Sequence, residues 1–340
     1  MKNDNPKMKV LELYSGIGGM HFALKCSGVE GEVKASIDIN PVANLVYQHN
    51  FPDVTSFNRN IQSLSPKFIN KLDVDTLLMS PPCQPFTRNG LQLDVEDERT
   101  KSFIHILKIL PDLNIERILI ENVKGFETSQ MRDLLIDALK KCDFNYQEFI
   151  LSPTQVGVPN TRHRYYCLAK KSPAVFNFDV EILKTELPLP HNCENINNYN
   201  IGEIIEKHQD SSFKYLEDKI LTKHVKILDI CHSNSRNSCC FTKAYGRYIE
   251  GTGSVFTEEP EDIVRSIFEQ LSTLDSQSQE YLQLAQKLKL RFFTPREISR
   301  LMSFPESFSF PDSVKNRQRY MLLGNSINVK VVAELIKLLK

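Results

Sequence analysis

The chain has 340 residues, enough for a large and a small domain, and we expect two unequal domains. Its 42 lysines and arginines balance its 42 aspartates and glutamates, so the overall charge gives no sign of the polyanion binding that a strongly basic chain would indicate. The eight cysteines form no CxxC pair and the first residues form no apolar leader, which indicates a reduced, intracellular protein, cytoplasmic with the nucleus as a second location. No apolar run reaches the roughly 18 residues of a membrane span, so no membrane partner is expected.

Strand-like and helix-compatible segments alternate along the first half of the chain. Residues 8–14 form a β-type run, a turn of small residues follows at 15–19, and residues 20–28 are compatible with a helix. The alternation continues with predicted strands at 33–39, 76–79, 117–120 and 165–169 and predicted helices at 42–49, 103–110 and 131–141. This order predicts an α/β fold with a mostly parallel sheet covered on both faces.

The alternation is lost after about residue 185. Pro188, Pro190 and an asparagine-rich stretch at 191–200 indicate a linker there, and we place a domain boundary at this point. Helix signals resume from residue 293 and end in a predicted helix at 329–339, which we expect to return to the first domain.

The turn at residues 14–19 joins a strand end to a helix start, and its glycines let the backbone approach a ligand closely. Asp38 follows at the end of the next predicted strand, where a carboxylate can accept hydrogen bonds from both hydroxyls of a ribose. The spacing is not that of GxGxxG, and a methionine-derived cofactor suits the turn as well as a dinucleotide. A tight turn beside a surface aspartate is the alternative interpretation.

A cysteine framed by prolines, Cys83 in Ser80-Pro-Pro-Cys-Gln-Pro-Phe, follows the predicted strand at 76–79. The prolines fix the backbone at the carboxyl edge of the sheet, where parallel sheets bind ligands. Glu121 follows the strand at 117–120 and is expected at the same edge. A thiolate beside a carboxylic acid suits addition to an electron-poor ring, because sulfur attacks carbon while the acid hydrogen-bonds a ring nitrogen. A structural cysteine and a helix-capping glutamate are the alternatives.

Arg162 and Arg164 lie two residues apart at the start of the predicted strand at 165–169, so their side chains point to the same face. A guanidinium group in this place can bind a phosphate or orient Glu121. The alternative is a pair of arginines on a solvated face.

The chain contains, in this order, the glycine turn, the Pro-Pro-Cys-Gln loop, Glu121-Asn122-Val123 and the arginine pair. These elements resemble the motifs of the cytosine-C5 methyltransferase family. The family's late motif is matched by Gly324-Asn325-Ser326, so the resemblance spans nearly the whole chain. One departure is Asn160, where many members have glutamine. The resemblance implies a Rossmann-like, class I S-adenosylmethionine-dependent methyltransferase fold with a seven-stranded, mostly parallel sheet. It further implies a catalytic domain at 1–185, a target-recognition domain at 186–290 and a segment at 291–340 that completes the catalytic domain.

The resemblance also implies a covalent mechanism. Cys83 adds to C6 of a cytosine rotated out of its stack, Glu121 holds N3 and the exocyclic amine, and C5 accepts the methyl group of S-adenosylmethionine, which leaves as S-adenosylhomocysteine. Arg162 and Arg164 support Glu121 and the base pocket, and no metal is implied. The implied cofactor contacts are Tyr14, Ser15, Gly16, Ile17, Gly18, Gly19, Asp38, Ile39, Asn60, Ile61, Pro81, Asn325 and Ser326.

In the recognition domain, Cys240-Phe241-Thr242 followed by Lys243-x-Tyr245 resembles the branch of the family that methylates tRNA-Asp at the position-38 cytosine of its anticodon loop. A loop base costs least to flip, which favours such a substrate. We expect a monomer that holds RNA through local basic and aromatic side chains, the alternative being solvated charges and core aromatics. The implied substrate-binding residues are Gln84, Cys240, Phe241, Thr242, Lys243 and Tyr245. The candidate RNA contacts are Lys223, Lys226, Arg236, Arg247, Tyr248, Lys287, Lys289 and Arg291.

Rival functions remain open at this point. A DNA cytosine-C5 methyltransferase shares every catalytic motif and differs only in the recognition domain. A catalytically silent nucleic-acid-binding module has no chemical use for Cys83, Glu121 and Arg162. A nicotinamide-dependent dehydrogenase would explain the glycine turn and Asp38 but not the proline-framed cysteine.

Overall fold

The computed structural model describes residues 7–82, 100–188, 197–207 and 215–340. The larger sheet consists of seven strands: β1 (Met8–Leu13), β2 (Gly31–Asp38), β3 (Thr55–Asn58), β4 (Thr76–Met79), β5 (Arg117–Val123), β6 (Phe144–Leu151) and β7 (Arg164–Lys171). Their spatial order is β3-β2-β1-β4-β5-β7-β6, and the pairs are parallel except that β7 runs antiparallel to both of its neighbours. The predicted α/β fold with a mostly parallel, seven-stranded sheet is confirmed.

The sheet is buried on both faces, as alternating β and α segments predict. Successive residues of β4 point to opposite sides, so Leu78 joins one apolar cluster whereas Leu77 and Met79 join the other. The described helices are α1 (Gly19–Ser27), α2 (Pro41–Asn50), α3 (Pro66–Lys71), α4 (Lys101–Ile109), α5 (Gln130–Lys141), α6 (Asp218–His224), α7 (Glu261–Thr273), α8 (Gln279–Gln286), α9 (Pro295–Leu301), α10 (Asn316–Gly324) and α11 (Val329–Leu338). None of these helices has the length and apolar character needed to cross a membrane.

Strand β5 is longer than its apolar run predicts. The run ends at Ile120, but the strand continues because its antiparallel neighbour β7 extends the ladder, with Glu121 opposite Tyr166 and Val123 opposite Arg164. Glu121 therefore lies within the strand, where its backbone is fixed by sheet pairing.

Strand β6 has no counterpart in the predicted elements because polar residues interrupt its apolar pattern. Its Glu148 is buried and accepts hydrogen bonds from Arg132 Nε and Tyr165 Oη, both at 2.8 Å. Burial of a paired carboxylate follows from these donors and cannot be read from alternation alone.

The second part of the chain has its own small sheet and apolar cluster. Strands β8 (Ile230–Cys231), β9 (Val255–Phe256) and β10 (Arg291–Phe292) form the sheet, and α6, α7 and α8 enclose the cluster. The chain then returns, and α11 packs against α1 in a shared cluster on the larger sheet. This is the return predicted for the last helix, while the boundaries at 185 and 290 stay predictions.

Arg291, a candidate RNA contact, lies in the interior. Its guanidinium group donates to both carboxylate oxygens of Glu297 at 2.8 and 2.9 Å, and both side chains are almost fully buried. Glu297 also accepts the backbone N–H groups of Thr294 and Glu206. Arg291 therefore holds the start of α9 to the small sheet, and its expected place on the RNA-facing surface is wrong.

Replacement of Arg291 by methionine tests this structural role. Arg291→Met leaves the buried Glu297 carboxylate without its counter-ion, and we expect the free energy of unfolding to fall by about 3–5 kcal/mol. The matched control is Arg265→Met, which breaks an exposed pair with Glu261 and should change stability by less than about 1 kcal/mol. Chemical denaturation measures both, and equal effects would contradict the assignment.

Candidate active site

A cavity of about 320 Å³ opens at the carboxyl edge of the larger sheet. Its volume lies within the range of roughly 300–1,000 Å³ that small-ligand sites occupy. The predicted site residues that line it are Tyr14, Ser15, Gly16, Ile17, Gly19, Asp38, Ile39, Pro81, Glu121, Arg162, Arg164, Asn325 and Ser326. Residues from widely separated parts of the sequence therefore meet at one site.

The turn after β1 has the left-handed backbone that its glycines permit, with φ of +53° at Gly16 and +85° at Gly18. Gly16 has open space where a Cβ would stand, and its N–H donates to Asp38 Oδ2 at 2.8 Å. Asp38 Oδ1 accepts the Asn40 N–H at 2.8 Å, which fixes the carboxylate at the mouth of the cavity. Gly18 faces the other way, since a Cβ there would meet the Phe51 ring at 2.5 Å.

The residues around this turn fit S-adenosylmethionine. Burial raises the pKa of Asp38 while nearby backbone N–H groups lower it, and its carboxylate keeps lone pairs for ribose hydroxyls. Ile39 is 65% exposed, an unusual position for an isoleucine that suits the face of an adenine. Ser15 Oγ is buried and has no hydrogen-bond partner among the described residues, so a polar ligand atom can satisfy it.

Three predicted cofactor contacts lie away from the cavity lining. Asn60 Oδ1 accepts the Gln62 N–H and caps a short 3-10 turn. Ile61 is buried in the apolar cluster, and Gly18 packs against Phe51. In this conformation the three residues shape the fold around the cavity rather than line it.

Glu121 lies at the floor of the cavity and is 8% exposed. Arg164 Nε lies 3.4 Å from Glu121 Oε1. Burial raises the pKa of Glu121, opposed by the positive charges of Arg164 and Arg162. The carboxyl group therefore keeps a proton to higher pH than an exposed glutamate, as a hydrogen-bond donor to a ring nitrogen requires.

Arg162 has a different role from its neighbour. Its Nη1 donates to Phe241 O at 3.0 Å and lies 3.3 Å from Cys240 Sγ, and its Nη2 donates to Gly324 O at 3.0 Å and Ser326 O at 2.6 Å. The side chain is buried, so these bonds form in a region of low dielectric constant. Direct support of Glu121 comes from Arg164, whereas Arg162 joins residues 237–243, called the recognition segment below, to the turn after α10.

The recognition segment packs directly on that turn. A Cβ added to Gly324 would lie 2.2 Å from both Lys243 N and Thr242 C, so only glycine allows this approach. The thiol of Cys240 lies beside the arginine pair. Burial raises the pKa of this thiol, but Arg162 and Arg164 together lower it by more, so its pKa lies below the usual value. The segment therefore packs behind Arg162 and Gly324, which line the cavity, and does not line it itself.

Two predicted aromatic contacts are buried. Phe241 and Tyr245 are 2% and 3% exposed and pack edge to face, and Tyr245 Oη donates to Ser254 O. Stacking of an RNA base on either ring is excluded in this conformation, because neither face is accessible. Lys243 and Tyr248 are exposed.

Cys83 and Gln84 lie outside the described residues. Pro81 and Pro82 are described and line the cavity, so the chain reaches the predicted nucleophile from this wall. Among the described residues, no group of His, Cys, Asp and Glu is arranged to hold a metal ion.

Sequence reasoning missed part of the site. Lys124 and His163 are exposed beside Arg164, and burial together with the positive charges of Lys124 and Arg164 lowers the pKa of His163. Their position next to Val123 and Arg164 was the available signal. Neither lines the cavity; the cavity residues that sequence reasoning missed are Met20, Asn40, Ala43, Ser80, Pro82, Val123, Leu322, Gly324 and Ile327.

A family model described as C-5 cytosine-specific DNA methylase matches residues 8–340. The chain belongs to this family. A tRNA (cytosine(38)-C(5))-methyltransferase of Spodoptera frugiperda is 50% identical over 337 residues, which cover 97% of this chain and 98% of the relative. The Homo sapiens protein of the same name is 43% identical, with 98% and 99% covered. A crystal structure of a Spodoptera frugiperda DNMT2 mutant matches with a TM-score of 0.89 at 49% identity and covers 98% of this chain and 99% of that chain.

Removal of the Asp38 carboxylate tests the cofactor site. Asp38→Ala removes the acceptor for the Gly16 and Asn40 N–H groups and for the ribose, and we expect S-adenosylmethionine to bind roughly ten- to a hundredfold more weakly. Asp53→Ala, at an exposed turn after α2, is the matched control. Isothermal titration measures both affinities, and an unchanged affinity in Asp38→Ala would place the ribose elsewhere.

Proposed function

We propose that the chain methylates C5 of the position-38 cytosine in the anticodon loop of tRNA-Asp, with S-adenosylmethionine as methyl donor. The observation that carries this proposal is the buried Glu121–Arg164 pair, which lines the same cavity as the glycine turn and Asp38. The names of the relatives support tRNA as the substrate class. A monomeric state and a cytoplasmic and nuclear location stay predictions.

The chain's own residues account for the steps around the cytosine. The Cys83 thiolate forms a bond to C6 while protonated Glu121 hydrogen-bonds N3, which draws electron density through the ring and makes C5 nucleophilic. The cofactor, held at Asp38 and Ile39, supplies a methyl group on a positively charged sulfur. After C5 has gained the methyl group, loss of its proton to a base breaks the Sγ–C6 bond and restores the aromatic ring and the free thiolate.

Arg164 sets the strength of the acid. Its positive charge opposes the burial that raises the pKa of Glu121, so the proton is held but can still be shared with N3. The protonated fraction falls as pH rises through the pKa of Glu121, and the rate of the addition step is expected to fall with it.

An RNA substrate meets a locally positive rim around the cavity. Lys124 follows the cavity residue Val123, Lys243 packs against the cavity residue Gly324, and both lysines are exposed. Arg247 lies 5.0 Å from the exposed Tyr248 ring. Exposed cations attract the phosphates, and an exposed ring offers a stacking face to an unpaired base. A chain of zero net charge can therefore bind a polyanion through this rim.

DNA is the second candidate substrate. The family description names DNA methylases, and every catalytic residue discussed above serves either nucleic acid. A silent binding module is less well supported, because a buried acid beside an arginine costs free energy that binding alone does not require.

Methyl transfer from labelled S-adenosylmethionine distinguishes these functions. We expect label in a tRNA-Asp transcript and none in the same transcript with uridine at position 38, because only cytosine presents a protonatable N3 and an amine to Glu121. Duplex DNA should accept far less label. Cys83→Ala should abolish transfer, whereas Cys26→Ala, at an exposed cysteine of α1, should retain it.

Each possible result supports a different conclusion about the function. Label confined to DNA would replace the proposed substrate with the second candidate. Label in no nucleic acid, with cofactor binding intact, would favour the silent module. Label in tRNA-Asp that persists in Cys83→Ala would leave the substrate in place and contradict the nucleophile.

A further inference from the structure

The loop before β7 is fastened to the recognition segment by a series of hydrogen bonds. Asn160 Nδ2 donates to Ser238 Oγ at 3.1 Å and to Cys239 O at 2.9 Å. The Thr161 N–H donates to Ser238 O at 2.9 Å, and Ser238 Oγ donates to Pro159 O at 2.7 Å. The chain separation of about eighty residues makes this a tertiary contact between the two parts of the molecule.

The Asn160 amide is the most deeply buried member of this series. Asn160 is 0% exposed and Ser238 is 1% exposed, so no water competes for the bonds. By contrast, the bond from Thr161 Oγ1 to Asn237 Oδ1 lies at the surface. The length of the Asn160 side chain therefore fixes the separation between the loop and the recognition segment.

The residues next to this contact connect it to Glu121. Cys240 follows directly after Cys239, its sulfur lies 3.3 Å from Arg162 Nη1 and 3.9 Å from Arg164 Nη2, and Arg164 in turn pairs with Glu121. A displacement at Asn160 would therefore move Cys240 relative to Arg162 and Arg164, both of which line the cavity. Asn160 itself does not line the cavity.

We propose that Asn160 is a positioning residue that sets the depth of the recognition segment, residues 237–243, against the Glu121–Arg164 pair and so shapes the nucleobase pocket. The proposal rests on the proposed function for its substrate class. It assigns specificity to the length of one buried amide side chain rather than to a group that touches the base.

The test is Asn160→Gln, which keeps the amide and adds one methylene group. The longer side chain pushes the segment outward or loses its bonds, and we expect kcat/KM for the nucleic acid that the unmodified chain methylates to fall about tenfold or more. The dissociation constant of S-adenosylmethionine should stay within about twofold, because Asn160 touches no cofactor-lining residue side chain. The matched control is Asn50→Gln, a part-buried amide that bonds Val46 O and Ser309 O at the far end of α2.

A second readout does not depend on the substrate. In a Cys239→Ser background, the pH dependence of alkylation at Cys240 is followed by mass spectrometry. Outward movement takes the sulfur away from Arg162 and Arg164, so the midpoint should move to higher pH in Asn160→Gln and stay in place in Asn50→Gln. If Asn160→Gln does not fold, Asn160→Asp is used, since its carboxylate cannot donate to Cys239 O.

The two readouts separate the failure of this proposal from the failure of the proposed function. A shifted alkylation midpoint supports the positioning role even if the substrate is DNA or if no transfer occurs. An unchanged midpoint overturns the role, as does a parallel loss of cofactor affinity and nucleic-acid turnover, which would indicate general destabilisation.

Discussion

The bonds of the Arg162 guanidinium group hold together parts of the chain that the sequence places far apart. One edge of the group binds Phe241 O and the other binds Gly324 O and Ser326 O, so a single buried cation closes the recognition segment onto the turn after α10. A guanidinium group suits this role because its donors lie in a fixed plane and it stays charged when buried. The cavity takes its shape from this closure.

The same contact brings two positively charged arginines next to two acidic groups. Arg162 and Arg164 lie beside the Glu121 carboxyl and the Cys240 thiol, and these opposite charges offset part of the desolvation of one another, whereas Arg164 repels Arg162. Glu121 is thus an acid whose proton affinity is raised by burial and limited by Arg164. Such an acid suits the proposed addition, in which Glu121 would donate a hydrogen bond to N3 of a neutral cytosine.

The sequence predicted the parts of the site that depend on local pattern. The glycine turn, Asp38 and the strand before Glu121 follow from periodicity and small residues, and the structure brings them to one sheet edge. It could not reveal that β7 is antiparallel and extends β5, since pairing direction depends on distant residues. The burial of Phe241, Tyr245 and Arg291 also could not be predicted. Aromatic and basic residues occur close together in the sequence both at exposed RNA-binding surfaces and in buried clusters, so the sequence does not distinguish the two.

We propose that Cys83 attacks C6 of the position-38 cytosine. A tRNA-Asp carrying 5-fluorocytidine at position 38 tests it most directly, because fluorine replaces the C5 proton whose loss would release the enzyme, so the Sγ–C6 bond persists. We expect an adduct that survives denaturation, requires S-adenosylmethionine, and maps to Cys83 by peptide mass spectrometry. An adduct on Cys240, or no adduct with a folded, cofactor-binding protein, would contradict it.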